Sequence, residues 1–147
     1  MWALRWWRTW KWDRSALLGW RVRVRYNKET EKYESIYCHW DGYPQGVGVT
    51  LRDNYSYGDE PAVLMTFGDI SCLRDTLFET RKEAYKLRGD SDTDAKIFRF
   101  VSEMMDYYHN MSCEYGYIWR DGKWKCYALD PQEINLSEME SFANTIS

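Results

Sequence analysis

Apolar and polar positions alternate over Trp20-Arg21-Val22-Arg23-Val24-Arg25-Tyr26, the period of a half-buried strand whose arginine face looks outward. A polar turn, Asn27-Lys28-Glu29-Thr30-Glu31, separates it from a second β-prone run over Lys32 to Trp40, so the two predict a hairpin. Asp41-Gly42 breaks that run, and Pro44 to Gly48 reads as a loop. Val49 to Tyr55 then fits a short helix, with Gly46 and Gly48 permitting close backbone approach at its start. A second short helix is predicted over Pro61 to Phe67, because Pro61 suits a first turn and Gly68 is a natural stop.

Residues 76–89 are polar and fit neither period. The clearest helical signal comes next: Ile97, Phe100, Val101, Met104, Met105 and Tyr108 recur at helical spacing behind the N-cap candidates of Asp90-Ser91-Asp92-Thr93-Asp94. Cys113 to Trp119 and Lys123 to Leu129 flank Arg120-Asp121-Gly122, which predicts a second hairpin. Beyond Leu129-Asp130-Pro131, the positions Leu136, Met139, Phe142 and Ala143 outline a short amphipathic helix. These elements sum to an α+β fold: an antiparallel sheet from two β-hairpins, with helices packed on one face, in a single domain over 20–147.

Residues 1–19 stand ahead of that domain as a Trp/Arg-rich segment. Trp2, Trp6, Trp10 and Leu17 approximate helical spacing, whereas Trp6, Arg8, Trp10 and Trp12 alternate as in a strand; the segment reads as irregular to helical. A chain of 147 residues is long enough for one real core. Nine Trp and twelve Tyr exceed what that core needs, so part of the aromatic surplus should be exposed.

The net charge of −3 conceals an asymmetry. Residues 1–32 hold nine of the twenty Lys and Arg against three acids, a net of +6, which leaves −9 on the remainder. A basic start on an acidic body can pair within the chain, and the body can mimic an acid, both readings ranking ahead of polyanion binding by the start. The four cysteines, Cys38, Cys72, Cys113 and Cys126, lie far apart without zinc-ribbon spacing and read as reduced thiols. No stretch approaches the roughly 18 apolar residues of a membrane span, and the start lacks the apolar region of a signal peptide, so a cytoplasmic protein is expected.

The densest motif is Tyr37-Cys38-His39-Trp40-Asp41-Gly42-Tyr43-Pro44-Gln45-Gly46-Val47-Gly48-Val49-Thr50-Leu51. It resembles the signature of a family of small, mostly uncharacterised proteins often encoded by phages and prophages, roughly Y-C-H-x-D-G-Y-x-x-x-x-G-x-x-L. Two further features carry the resemblance: the turn Gly68-Asp69-Ile70-Ser71, and an aromatic strand followed by Asp121-Gly122 and a Trp-bearing strand. The likeness covers about residues 33–128 at scattered positions. It implies a phage-type origin and supplies no activity.

His39 and Asp41 lie two apart, so on a regular strand they would share a face, where a carboxylate can orient an imidazole for acid–base work. No nucleophile accompanies them, since Cys38 would face the other way. The favoured alternative is structural, with His39 a polar strand-end residue and Asp41 the start of a turn. A metal site assembled from His39, Asp41, Asp69 and His109 is not demanded by their spacing, and neither metal nor cofactor is expected. The glycines of 42–48 precede a helix as in a phosphate loop, but no Lys-Ser or Lys-Thr follows, so a structural turn is the simpler reading. If a small ligand binds, it should do so at His39, Asp41, Tyr43, Gly46, Gly48 and Asp69.

Trp6, Trp7 and Trp10 with Arg21, Arg23 and Arg25 invite partner binding, for which Trp and Arg are enriched. Nucleic acid would use the arginines on phosphates and aromatic rings as stacking platforms, and an interfacial membrane role ranks last. The competing reading packs the Trp rings in the core beneath stacked arginines. The sequence therefore points to a small non-enzymatic phage accessory protein that binds a host or phage protein, as an inhibitor of host defence or another host process. The alternatives are a small-ligand protein or enzyme centred on the Cys38–Gly48 loop, and a nucleic-acid binder using the basic aromatic start.

Overall fold

A computed structural model describes residues 15–23, 31–120 and 122–129, with backbone alone at 20–23 and 31. Five strands, β1 (Ala16–Arg23), β2 (Glu31–Cys38), β3 (Lys96–Phe98), β4 (Tyr115–Arg120) and β5 (Lys123–Ala128), form one sheet in the order β3-β2-β1-β4-β5. The helices are α1 (Val49–Asn54), α2 (Glu60–Thr66), α3 (Leu77–Arg81) and α4 (Val101–Asn110). Among the described residues no helix is long and apolar enough to cross a membrane.

The α+β reading and both hairpins stand, with β1 antiparallel to β2 and β4 antiparallel to β5. Two details differ from expectation. The hairpins are joined by a parallel pair, Ala16↔Tyr115 through Trp20↔Trp119, so the sheet is mixed. Helices also cover both faces rather than one. Ala16, Leu18, Ile36, Cys38, Tyr115, Tyr117 and Trp124 pack with Leu51, Tyr55, Leu64 and Met65 from the α1–α2 side. Leu17, Tyr33 and Ile118 pack with Met104 and Tyr108 of α4 on the other.

This double cover explains where β1 begins. The strand starts at Ala16, four residues before the alternating pattern, and Ala16, Leu17 and Leu18 are each fully buried. A strand covered on both faces needs a continuous apolar run, and the alternation marks only its far half. Glycines make room for the helix: a Cβ at Gly19 would lie 3.4 Å from Met104 Sδ, and one at Gly116 would lie 3.5 Å from Met105 Sδ.

The Asp90–Asp94 cluster does not cap α4, which begins at Val101 after an extended Phe100. Residues 96–98 instead pair with β2 as β3, placing Ile97 in a strand. Backbone bonds to an open sheet edge outweigh helical periodicity there, and Asp92 at φ +58° already breaks a helical path. β3 is antiparallel to β2 and therefore runs parallel to β1 and β4, so β3-α4-β4 is a crossover that spans two intervening strands. Ser35 and Tyr108, both buried, join α4 to β2 by hydroxyls 2.9 Å apart.

The shorter helices follow their local signals. Glu60–Thr66 carries Pro61 in its first turn and stops before Gly68 at φ +69°, as expected. Thr76 caps α3, its hydroxyl accepting the Glu79 amide at 3.1 Å, within the capping sequence Thr-x-x-Glu. The segment 76–89 resolves into α3 and a 3-10 turn, Tyr85–Arg88. The helix expected at Leu136 to Ala143 lies outside the described residues.

Buried hydroxyls tie this segment down. Tyr55 Oη donates to the Arg74 carbonyl at 2.8 Å and lies 2.7 Å from Thr80 Oγ1, which accepts the Arg74 amide at 2.9 Å. Trp124 Nε1 donates to the Tyr55 carbonyl at 3.0 Å, linking β5 to the same knot. Thr80→Val keeps the shape but removes the shared oxygen. The expected loss is about 1–3 kcal/mol, because the Arg74 amide loses its acceptor while Tyr55 Oη keeps the Arg74 carbonyl. Urea unfolding checks this, and a midpoint that does not move contradicts it.

Candidate functional site

The signature run leaves β2 at Cys38 and is met by the Gly68–Ser71 turn. Ile70 N donates to the Tyr37 carbonyl at 2.8 Å, His39 N to the Ile70 carbonyl at 3.1 Å, and Trp40 N to the Ser71 carbonyl at 2.9 Å. Ile70 also bridges to Ala84, so the turn is held between β2 and the segment after α3. Gly68 is required there, since a Cβ would fall 2.2 Å from the Thr93 carbonyl oxygen. Asp69 then accepts the Tyr37 amide on its carboxylate at 2.9 Å. Burial raises the Asp69 pKa, and that bond works against the rise.

His39 and Asp41 are not paired. The strand that would align them ends at Cys38, and Asp41 turns to φ +58° with its side chain exposed. The ring of His39 instead lies 2.7 Å from the Tyr37 hydroxyl through Nδ1, and stands edge-on to Trp40 with centroids 4.5 Å apart. Tyr37 is pushed up to about 12, chiefly by burial.

The glycine loop closes on Asp41. Val47 N donates to the Asp41 carbonyl at 2.9 Å and Gly46 N to the Tyr43 carbonyl at 3.0 Å, so amides that a phosphate would need are taken by the loop itself. Gly46 gives the close approach expected of it: a Cβ would sit 2.4 Å from the Asp41 carbonyl oxygen. Gly48 is buried at helical angles, φ −57° and ψ −50°. The loop expected over Pro44 to Gly48 is a π-helical turn that runs directly into α1. Tyr43 lies half-buried against the core, with its hydroxyl pKa raised by burial and by Asp41. Tyr117 Oη reaches under the turn and donates to the Gly42 carbonyl at 2.7 Å.

All four cysteines are free thiols. Cys38 is fully buried, which drives its pKa far above the ordinary value, and its Sγ lies 3.6 Å from the Trp40 carbonyl. Burial likewise raises Cys72, and holds Cys113 at about 11 and Cys126 at about 12. Among the described residues no group of three or more His, Cys, Asp and Glu could hold a metal. His109 lies on α4, exposed, in the helix that covers the opposite face of the sheet from α1.

One polar cluster escaped the sequence reading. Glu83 accepts from Ser71 Oγ at 2.6 Å and pairs with Arg74 at 3.4 Å and Arg88 at 3.3 Å. The Ser71 bond is the main reason its carboxyl is held below the ordinary range, with burial opposing and the two arginines assisting. These residues are spread over 71–88, a polar stretch without period, so no spacing announces them.

Of the partner candidates, Arg21 and Arg23 lie in β1, opposite Tyr33 and Glu31. Trp6, Trp7, Trp10 and Arg25 lie outside the described residues. Comparison with known protein families, curated proteins and solved structures finds no match for this chain.

Two outcomes follow for this loop. Gly46→Ala forces the Asp41 carbonyl aside and is expected to destabilise by about 1–3 kcal/mol, as overpacking does, measured by urea unfolding. In the folded protein at about pH 8, an alkylating reagent should leave Cys38, Cys113 and Cys126 unmodified, because the thiolate is the nucleophile and each thiol is held above its usual pKa. All four should react in denaturant, and mass spectrometry reads both states; rapid native labelling of Cys38 contradicts its burial.

Proposed function

We propose that this chain is a small non-enzymatic accessory protein of the phage type, which acts in the host cytoplasm by binding a host or phage protein and blocking its activity. The observation that carries the reading is how the signature's polar groups are used. His39 is tied to Tyr37, the Asp69 carboxylate to the Tyr37 amide, the Asp41 carbonyl to Val47, and the Cys38 thiol is buried. A signature built this way specifies a turn and its support. The phage assignment rests on resemblance to that signature, and the inhibitory role on what a compact binding module can do without chemistry of its own.

Binding by the aromatic surplus is supported by exposed rings outside the core: Tyr57 is 75% exposed, Phe78 70% and Phe100 52%. Lys82 lies 4.3 Å from the Phe78 ring centre and Arg99 5.3 Å from that of Phe100, a pairing of ring and cation common in protein contacts.

Affinity capture of the tagged full chain from host lysate, with and without nuclease, tests the reading. The expected result is one stoichiometric protein that survives nuclease, is inhibited in its own assay, and is lost when Trp6, Trp7 and Trp10 are changed to Ala. Absence of any protein partner, together with a small molecule retained by wild type and released by His39→Ala, would transfer the function to the Cys38–Gly48 loop.

A further inference from the structure

The face of the sheet that α4 covers is not of one character along its length. Ile118 belongs to the core beneath α4, and in register with it the same face carries Arg120 on β4 and Lys123, Lys125 and Tyr127 on β5. Lys123 is exposed, and Arg120, Lys125 and Tyr127 are half-buried. In the neighbouring strand the pair Trp20↔Trp119 places Arg21 next to Arg120, and the positions of Arg21 and Arg23 alternate with the core positions Leu17 and Gly19. Three adjacent strands thus bring five basic positions to one end of one face. Methionines of α4 settle over Gly19 and Gly116, on the near side of Arg21, Arg120 and Lys123, and Tyr127, opposite Gly116, packs against the core they cover.

Strand geometry spaces these positions at about 7 Å along each strand and about 5 Å between strands. Arg120 and Lys123 are direct cross-strand partners, an arrangement that costs stability when both carry the same charge. Among the described residues no acid pairs with Arg120, Lys123 or Lys125; the ion pairs there all fall between Arg52 and Asp94. Arg120 is held instead by the neutral Tyr127 hydroxyl, which accepts from its Nη2 at 3.0 Å. Glu31, opposite Arg23, is the acid in register with the array, leaving an excess of four positive positions. The other face of the hairpin is fixed to the fold through Trp124, so the basic face is presented on a rigid support.

We infer that this basic end of the α4 face binds the phosphodiester backbone of single-stranded nucleic acid, with Arg120, Lys123 and Lys125 on phosphates. A flat array of evenly spaced basic positions suits an extended polymer with one charge per nucleotide. A contact made by cations on phosphates is strongly salt-dependent. The site goes beyond the protein-partner reading and needs no lysate to test, so either can fail alone.

The experiment is fluorescence anisotropy of the purified full chain with labelled oligo-deoxythymidine and oligo-uridine of about 20 nucleotides, longer than a usual single-strand site. Between about 50 and about 200 mM salt, three to five phosphate contacts at about −0.7 each predict a log–log slope of about −2 to −4. The double variant Lys123→Glu, Lys125→Glu should bind at least about tenfold more weakly, Lys125→Gln should flatten the slope by about 0.7, and Arg81→Glu, at an exposed position on α3, should change neither. Thermal melts guard against misfolding, since reversing a charge opposite Arg120 should hold or raise Tm. Equal affinity for the two oligonucleotides marks backbone recognition, and a preference for one names DNA or RNA as the source. No binding at the lower salt, tighter binding to a duplex, or equal displacement by poly-glutamate overturns the inference, the last in favour of an acidic protein surface.

Discussion

Burial of β1 on both faces is the constraint around which the molecule is arranged. Ala16, Leu17 and Leu18 contribute to two different core clusters, so neither face of the sheet can be left to solvent. That requirement calls α4 to one side and α1 and α2 to the other. It also places a strand on each flank of β1, one from its own hairpin and one from the distant β4. An apolar strand open on either side would expose both its side chains and its backbone groups.

The tyrosines serve that arrangement in a way their number alone does not disclose. Tyr55, Tyr108 and Tyr117 are among the largest fully buried side chains, and each ends in a hydrogen bond to a distant segment: Arg74 and Thr80, Ser35, and Gly42. Such residues fill volume and satisfy a polar group at the same time. They pin loops that would otherwise be held only at their ends. The price is that each hydroxyl needs its partner, which makes these positions intolerant of apolar replacement.

Where the sequence was legible, local chemistry decided the structure. The hairpins, the Pro61 helix, the Gly68 stop and the Gly46 approach all follow from short-range signals, and each is present. What was not legible depends on partners far along the chain. The start of β1 at Ala16 needs a second covered face, which no window of residues 1–19 displays. Ile97 carries helical period with Phe100 and Met104, yet it joins β3 because Glu34 offers it an edge. The pairing of His39 with Asp41 assumed a strand that stops at Cys38, where Ile70 takes over the backbone bonds. The basic face is legible only in halves, because Arg21 and Arg120 are neighbours through a parallel pair that joins the two ends of the described chain.

That parallel pair also sets an order of assembly. β1 is made first, yet its second neighbour, Tyr115 to Trp119, is about a hundred residues away in the chain. A nascent chain on the ribosome can close the β1–β2 hairpin early, but one edge of β1 then waits, apolar and unpaired, until β4 has been synthesised. Contacts of such long sequence separation slow folding and expose the intermediate to wrong pairing. The charged far half of β1, Arg21 and Arg23, lies on the edge that waits, where like charges on two such chains oppose edge-to-edge association. The same basic positions that lie side by side in the finished sheet therefore guard the unfinished one.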